Sequence, residues 1–219
     1  MKRLIVTLLI AAAVAGCAPL DMSVFVEGAR FLDESCEPSG ETNLAAGLLD
    51  VGPFIAANQQ LRYFGHFIMR SELQPLDTVS GGSVLAGTAR NEFVATQVNL
   101  SYQTTGGWAG GGANEPIYFV VPPASTDSSI LFNMISPDPA VETGIKGAIG
   151  AGLQDTLVVT FFFEGNIRSS SNAILPMRTP PVSFPIRLFN RAVPTCPVGS
   201  PTIKGPCGNA QDDFIYECP

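Results

Sequence analysis

The chain has 219 residues and a mass of 23.1 kDa, the size of one ordinary domain. Charged residues make up only 14% of it, and 22 glycines and 18 prolines disfavour helical bundles and coiled coils. With 12 basic and 19 acidic residues it lacks the basic surface that nucleic acid requires, so we expect no nucleic-acid partner.

Residues 1–16 have the layout of a secretory signal peptide. Lys2 and Arg3 provide positive charge before an uncharged apolar run that continues to Val14. Residues 4–16 are too few to cross a bilayer, because a membrane-spanning helix needs about 20 residues. We therefore predict that this segment directs export and is then removed, which changes the formal net charge from −7 to −9.

The signal ends in Val14-Ala15-Gly16-Cys17, which resembles the lipobox of bacterial lipoproteins. In that family the cysteine is acylated with diacylglycerol and becomes the new N-terminus. The resemblance implies that Cys17 carries the lipid (a palmitate-type anchor) and that residues 17–21 tether the body to a membrane. The two residues after Cys17 do not include the Asp that often retains lipoproteins at the inner membrane, so the outer membrane is favoured. Ordinary cleavage that leaves Cys17 as a free thiol is the alternative.

Four further cysteines are expected to form two disulfides, because an exported chain meets an oxidising environment. Three pairings are open. From the short loop between Cys207 and Cys218 we favour that pair, together with a bond from Cys36 to Cys196. A zinc site would need closely spaced pairs such as C-x2-C, which the chain lacks, and we predict no metal.

Apolar residues alternate with polar ones along most of the chain, which is the strand period. Between residues 61 and 73, for example, Tyr63, Phe67 and Met69 share one face and His66 and Arg70 share the other. Glycine and proline clusters separate the alternating segments. The predicted strands cover residues 23–27, 48–51, 61–73, 93–102, 117–121, 130–135, 157–165 and 182–189.

About eight strands in one domain predict an all-β fold, an antiparallel β-sandwich over residues 22–190, either immunoglobulin-like (Ig-like) or jelly-roll-like. A β-barrel has the same alternation and stays open as an alternative. Pro185 places the strand at residues 182–189 at an edge or a bulge, because its nitrogen cannot donate to a ladder. Residues 142–153 could form a short helix, a loop or a weak strand. Residues 191–219 are rich in Cys, Pro and Gly, and we expect them to form a tail held by disulfides.

The search for catalytic motifs finds none. His66 is the one histidine, which excludes sites that need several imidazoles, and no G-x-S-x-G or S-x-x-K pattern occurs. We expect His66 to point outward from a strand, between Phe64 and Ile68. No enzymatic activity and no cofactor are predicted.

Two weaker candidates for ligand contact remain. Trp108 lies in the glycine-rich loop at residues 106–114, where it could contact a glycan or a partner protein. The favoured interpretation is that it folds back over the end of the sandwich. Asp212, Asp213 and Glu217 are weak calcium candidates, although they lack the EF-hand spacing.

The lipobox, the strand-rich body and the cysteine-bearing ending from Cys207 to Cys218 together resemble uncharacterised secreted lipoproteins of myxobacterial type. The resemblance implies a location at the bacterial cell envelope and transfers no activity. We therefore expect a membrane-anchored, non-catalytic module that binds a protein or glycan partner or supports the envelope. A carboxylate-based carbohydrate-active hydrolase and a calcium-stabilised adhesin-like module are the alternatives.

Overall fold

The computed structural model describes residues 23–74, 91–150, 152–168 and 174–219; the predicted signal peptide, Cys17 and the tether lie outside them. The described chain is mostly β-structure with two short helices, α1 (Gly52–Ala56) and α2 (Pro139–Ala148). The strands are β1 (Val24–Leu32), β2 (Pro38–Asn43), β3 (Gly47–Asp50), β4 (Phe64–Ser71), β5 (Glu92–Thr104), β6 (Ala109–Val121), β7 (Ser128–Asn133), β8 (Gln154–Arg168), β9 (Ile174–Arg178), β10 (Val182–Phe189), β11 (Thr202–Lys204) and β12 (Ile215–Glu217).

Two sheets pack face to face, which confirms the prediction of an all-β fold. The smaller has the order β2-β1-β4-β7, and the larger has the order β3-β10-β8-β5-β6 with β9 beside β8. Phenylalanine rings fill the space between them, because alternate residues of each strand face inward. The Phe67 and Phe161 rings lie 4.7 Å apart, and the Phe132 and Phe163 rings lie 5.5 Å apart. β11 and β12 form a separate ribbon, and β3 joins β10 in parallel.

Two segments differ from their predicted form. β6 begins at Ala109, inside the glycine-rich run that was expected to be a loop. Glycines are tolerated there because β6 is an edge strand, paired only with β5. Of the three forms open for residues 142–153, the structure has a helix, α2, which begins earlier, at Pro139. Asp138 caps it by accepting a hydrogen bond from the Ala140 amide at 2.9 Å.

Pro185 occupies a locally unpaired side of an inner strand. It lies opposite Val158 of β8, while β3 joins the other side of β10 only from Ile186 onward. The proline therefore has a sheet neighbour on one side only, and its missing N–H breaks no ladder hydrogen bond. The prediction that this strand lies at an edge or a bulge is wrong, because β10 lies between β3 and β8 and its register with β8 runs unshifted through Pro185.

The four cysteines form two disulfides, as expected, but the favoured pairing is wrong. The bonds join Cys36 to Cys207 and Cys196 to Cys218. Cys207 lies next to the turn that follows β1, where its amide donates to the Asp33 carbonyl at 2.9 Å. Loop length along the chain could not reveal this proximity, because it depends on where the tail enters the fold.

The strand directions give the sandwich two different ends. At the end where β1 begins, the Glu72 amide donates to the Ser23 carbonyl at 2.7 Å, and the Ala124 amide donates to the Leu73 carbonyl at 3.0 Å. We call this the N-terminal end. The opposite end carries α1, α2 and most of the tail, and we call it the helical end.

Candidate functional site

A short piece of the tail, residues 209–212, is inserted between the two sheets at the helical end. On the side of the larger sheet, the Asp50 amide donates to the Ala210 carbonyl at 2.9 Å. On the side of the smaller sheet, the Gln211 carboxamide accepts from the Phe64 amide at 2.9 Å and donates to the Phe64 carbonyl at 3.1 Å. Gln211 is completely buried and binds β4 as a strand neighbour would. The tail is therefore part of the core here and connects β3 with β4.

Asp212 continues this connection through its side chain. Its carboxylate accepts hydrogen bonds from the Leu48 amide at 3.0 Å and from the Tyr63 hydroxyl at 3.1 Å. Burial raises the pKa of Asp212 above its ordinary value, because desolvation disfavours the charged form. Burial, followed by the nearby Asp212 carboxylate, also raises the pKa of Tyr63. Asp212 also has a positive φ of 51°, a strained conformation that the surrounding hydrogen bonds maintain.

The three calcium candidates do not come together. Asp212 is buried and hydrogen-bonded, Asp213 is exposed, and Glu217 forms an ion pair with Lys204 at 2.7 Å. Within the described ranges no group of three or more His, Cys, Asp or Glu side chains could hold a metal ion. Asp212 and Glu217 thus each have a partner within the protein, and Asp213 faces solvent.

A cleft of about 330 Å³ opens beside the inserted segment, at the lower end of the size range of small-molecule sites. Three parts of the chain form it: α1, the loop between α1 and β4, and the tail around the first disulfide. The lining residues are Phe54, Gln59, Gln60, Arg62, Phe64, Cys207, Gly208 and Asn209.

The walls of this cleft are held by long-range contacts. The Asn209 carboxamide donates to the Arg62 carbonyl at 2.7 Å, so the tail fixes the backbone below the arginine. Lys146 of α2 donates to the Gln59 carbonyl at 2.9 Å. The disulfide between Cys36 and Cys207 holds the remaining wall against the end of β1. Because each wall is restrained separately, little ordering is left for a ligand to impose.

Three polar side chains of the cleft have no partner among the described residues. Arg62 is exposed, and among the described residues its guanidinium forms no ion pair or hydrogen bond. The side-chain amides of Gln59 and Gln60 likewise form no hydrogen bond to another described residue. Phe54 and Phe64 add apolar surface. One guanidinium, two carboxamides and two phenyl rings suit a small ligand that carries a carboxylate and hydroxyl groups.

Trp108 lies elsewhere, at the turn between β5 and β6. Its ring is half-buried, packs against the core and lies against Gly144 of α2, where a Cβ atom would overlap the indole. The favoured prediction that Trp108 folds back over the end of the sandwich is confirmed. Trp108 does not line the cleft.

His66 is on the face of β4 opposite Phe67 and Met69, but it is only 6% exposed. Its cross-strand neighbours are Arg30 of β1 and Leu131 of β7, whose long side chains shield the imidazole. The expectation of an outward-facing histidine is thus right about the face and wrong about exposure. Burial, and then the positive charge of Arg30, lower the pKa of His66.

Sequence reasoning missed Arg62, Gln59 and Gln60 because no local motif marks them. Their role depends on a tail that lies about 150 residues further along the chain; the Asn209 to Arg62 hydrogen bond spans 147 residues.

No protein-family profile matches this chain, and no curated protein or solved structure is significantly similar to it. Among the described residues, no helix has the length and apolar character to cross a bilayer.

Proposed function

We propose that this protein is a lipid-anchored, non-catalytic binding module of the bacterial cell envelope, and that its cleft at the helical end binds an acidic sugar. The observation that carries the proposal is the guanidinium of Arg62 beside the amides of Gln59 and Gln60, none of which has a partner in the part of the chain that the structure describes. Because no carboxylate among the described residues pairs with Arg62, this cation attracts an anionic ligand locally, although the chain as a whole has a negative net charge of −7.

The anchor part of the proposal rests on the lipobox at residues 14–17. A chain acylated at Cys17 is attached through its N-terminal end, since β1 begins seven residues later at Val24. The cleft lies beside Phe64, at the start of β4, and β4 runs antiparallel to β1. Ligand and anchor therefore occupy opposite ends of the sandwich. Labelling with a palmitate analogue is expected in the native protein and should disappear in Cys17→Ser.

The ligand class follows from the lining groups. A guanidinium binds a carboxylate through two parallel hydrogen bonds, and carboxamides both donate to and accept from sugar hydroxyls. Phenyl rings contact the apolar face of a pyranose. A hydrogen bond to a charged group contributes about 1.5–3 kcal/mol. The cleft should therefore prefer a uronate over its neutral parent sugar by about tenfold to a hundredfold.

Calorimetric titration with galacturonate and galactose tests the proposal on a matched pair of ligands. The native protein should bind galacturonate more tightly, and Arg62→Gln should remove that preference while the melting temperature stays the same. Arg187→Gln is the matched control, because Arg187 is exposed on β10 outside the cleft. Equal galacturonate affinity in Arg62→Gln and in the native protein would contradict the assignment of this cleft.

A carboxylate-based glycoside hydrolase is the second candidate, and one observation favours it. Asp212 and Asp213 line a smaller cleft of about 270 Å³ together with Phe31, and the pKa of Asp212 is raised, as a general acid requires. The hydrogen bonds from Leu48 and Tyr63 to Asp212 also stabilise the fold. Hydrolysis of nitrophenyl glycosides that disappears in Asp213→Asn would support this function, and no hydrolysis by the native protein would dismiss it.

A further inference from the structure

Two large aliphatic residues, consecutive in the chain, are exposed at the start of β9. Ile174 is 69% exposed and Leu175 is 44% exposed. β9 pairs with the last residues of β8, where Ile174 lies opposite Arg168 and Leu175 lies opposite Ile167. Side chains of this size are normally covered. Because successive residues of a strand face opposite sides, Ile174 and Leu175 lie on opposite faces of β9 and make the end of this strand apolar on both faces; we call this apolar end the patch.

The patch is at the N-terminal end of the sandwich. Ile167 of β8 is paired with Phe93 of β5, which is paired in turn with Val121, the last residue of β6. The turn after Val121 reaches Leu73 through the Ala124 amide, and the neighbouring Glu72 amide donates to the Ser23 carbonyl. The first described residue and the apolar patch therefore belong to the same end.

The length of chain before Ser23 limits how far this end can be from a membrane. Ser23 is six positions after Cys17, and a fully extended chain spans at most about 3.6 Å per residue, or roughly 20 Å in total. β8 alone contains 15 residues and is about 50 Å long. An anchor at Cys17 thus keeps the N-terminal end near the bilayer, while the helical end can lie more than twice as far away.

We propose that Ile174 and Leu175 insert into the interfacial region of the bilayer and orient the anchored domain with its cleft away from the membrane. This inference rests on the lipid anchor of the proposed function. Two side chains are too few to hold a protein on a membrane alone. On a chain that is already tethered, the effective concentration of lipid is high, so they need only select one orientation.

Tryptophan quenching by lipids with brominated acyl chains measures this contact directly. The lipidated full-length protein is reconstituted in vesicles of phosphatidylethanolamine and phosphatidylglycerol that contain brominated phosphatidylcholine. Trp108→Phe removes the only native tryptophan, and Ile174→Trp then places a reporter in the patch. Ile55→Trp is the matched control, since Ile55 is also exposed but lies on α1 at the helical end.

Entry into the bilayer should blue-shift the emission of the Trp at position 174 and brominated lipid should quench it, whereas the emission of the Trp at position 55 should stay unchanged. Flotation of the same vesicles separates the two proposals. A protein that floats with the vesicles but shows equal quenching, or none, at both positions retains its anchor and overturns the orientation. A protein that fails to float contradicts the lipid anchor and the orientation together.

Discussion

The two ends of the sandwich are held together in different ways. At the helical end, residues far apart in the chain are cross-linked: the fully buried Asp50 accepts from the amides of Gly52 and Arg191 and pairs with the Arg191 guanidinium at 2.8 Å. That guanidinium also lies 5.3 Å from the Phe189 ring and 5.1 Å from the Phe214 ring. Long-range polar contacts of this kind fix the shape of a surface in advance.

The N-terminal end shows no comparable network among the described residues. The backbone hydrogen bonds there join strands that are already neighbours, as between Glu72 and Ser23, and two aliphatic side chains lie exposed on β9. A ligand cleft needs preorganised walls, whereas a membrane contact needs only apolar surface on a suitable edge. The difference between the ends therefore agrees with the proposed division between attachment at the N-terminal end and recognition at the helical end.

Removal of the disulfides should produce the largest loss of stability and should show which covalent link matters more. The bond from Cys36 to Cys207 spans 171 residues, and the bond from Cys196 to Cys218 spans 22. Loop-closure entropy predicts a loss of about 5 kcal/mol for the double Ser variant of the first pair and about 3 kcal/mol for that of the second. Urea unfolding measures both, and an equal loss would indicate that chain entropy does not dominate.

Gln211→Ala should be the next most damaging change. The variant leaves the partly buried amide and carbonyl of Phe64 without their Gln211 partner, which costs roughly 3 kcal/mol in total. Gln103→Ala is the matched control, because Gln103 is exposed on β5 and its loss should change stability by less than about 0.5 kcal/mol. Similar unfolding free energies for the two variants would show that the inserted tail does not hold the helical end.

Gly144→Ala should destabilise the protein by about 1–3 kcal/mol, because a Cβ at this position overlaps the indole of Trp108. Gly147→Ala in the same helix meets open space and should stabilise the protein by up to about 1 kcal/mol through helix propensity. Adding Trp108→Ala to Gly144→Ala should make the alanine at 144 favourable. Thermal unfolding of the variants tests this reversal of sign, and a stabilising Gly144→Ala in the native background would refute the packing of Trp108.

Asp212→Asn should have the smallest effect, visible mainly in its dependence on pH. The folded-state pKa of Asp212 is raised, so its stabilising contribution is complete below the unfolded pKa of about 3.9 and is lost as the pH rises through the folded value. Asparagine does not titrate, so the variant does not lose this stabilising contribution as the pH rises. Its amide oxygen still accepts from the Leu48 amide and the Tyr63 hydroxyl. Its stability relative to the native protein should therefore increase from pH 3 to neutral pH.

Chemical unfolding over that pH range, with Asp127→Asn as the exposed control, measures the effect. The control should show a pH dependence close to that of the native protein. An advantage of Asp212→Asn that shrinks with rising pH would mean that Asp212 is stabilised as the anion.

Much of the fold was predictable because strand alternation is a local property. Residues 182–189 were predicted as a strand and form β10 with the same bounds. The beginning of β6 was missed because glycines stop a strand in most settings, and only an edge position tolerates them. The cysteine pairing failed for a different reason: it requires knowing that Cys207 arrives beside the end of β1.

The cleft could not be predicted from any of its residues alone. Arg62 and the two glutamines resemble ordinary surface residues of a loop, and Gln211 resembles a polar residue of an exposed tail. Gln211 is instead completely buried against a strand residue 147 positions away. Clefts of this type arise where loops from distant parts of the chain meet, and the meeting is determined by the packing of the sheets.

Strand content, the segmentation by glycine and proline, and the use of cysteine all follow from the amino-acid sequence itself, because each reflects a preference of neighbouring residues. The tertiary structure alone decided which cysteines pair, that residues 209–212 enter the core, and which side chains surround the cleft at the helical end. These features depend on the free energy of burying distant segments against one another, and that quantity has no local signature.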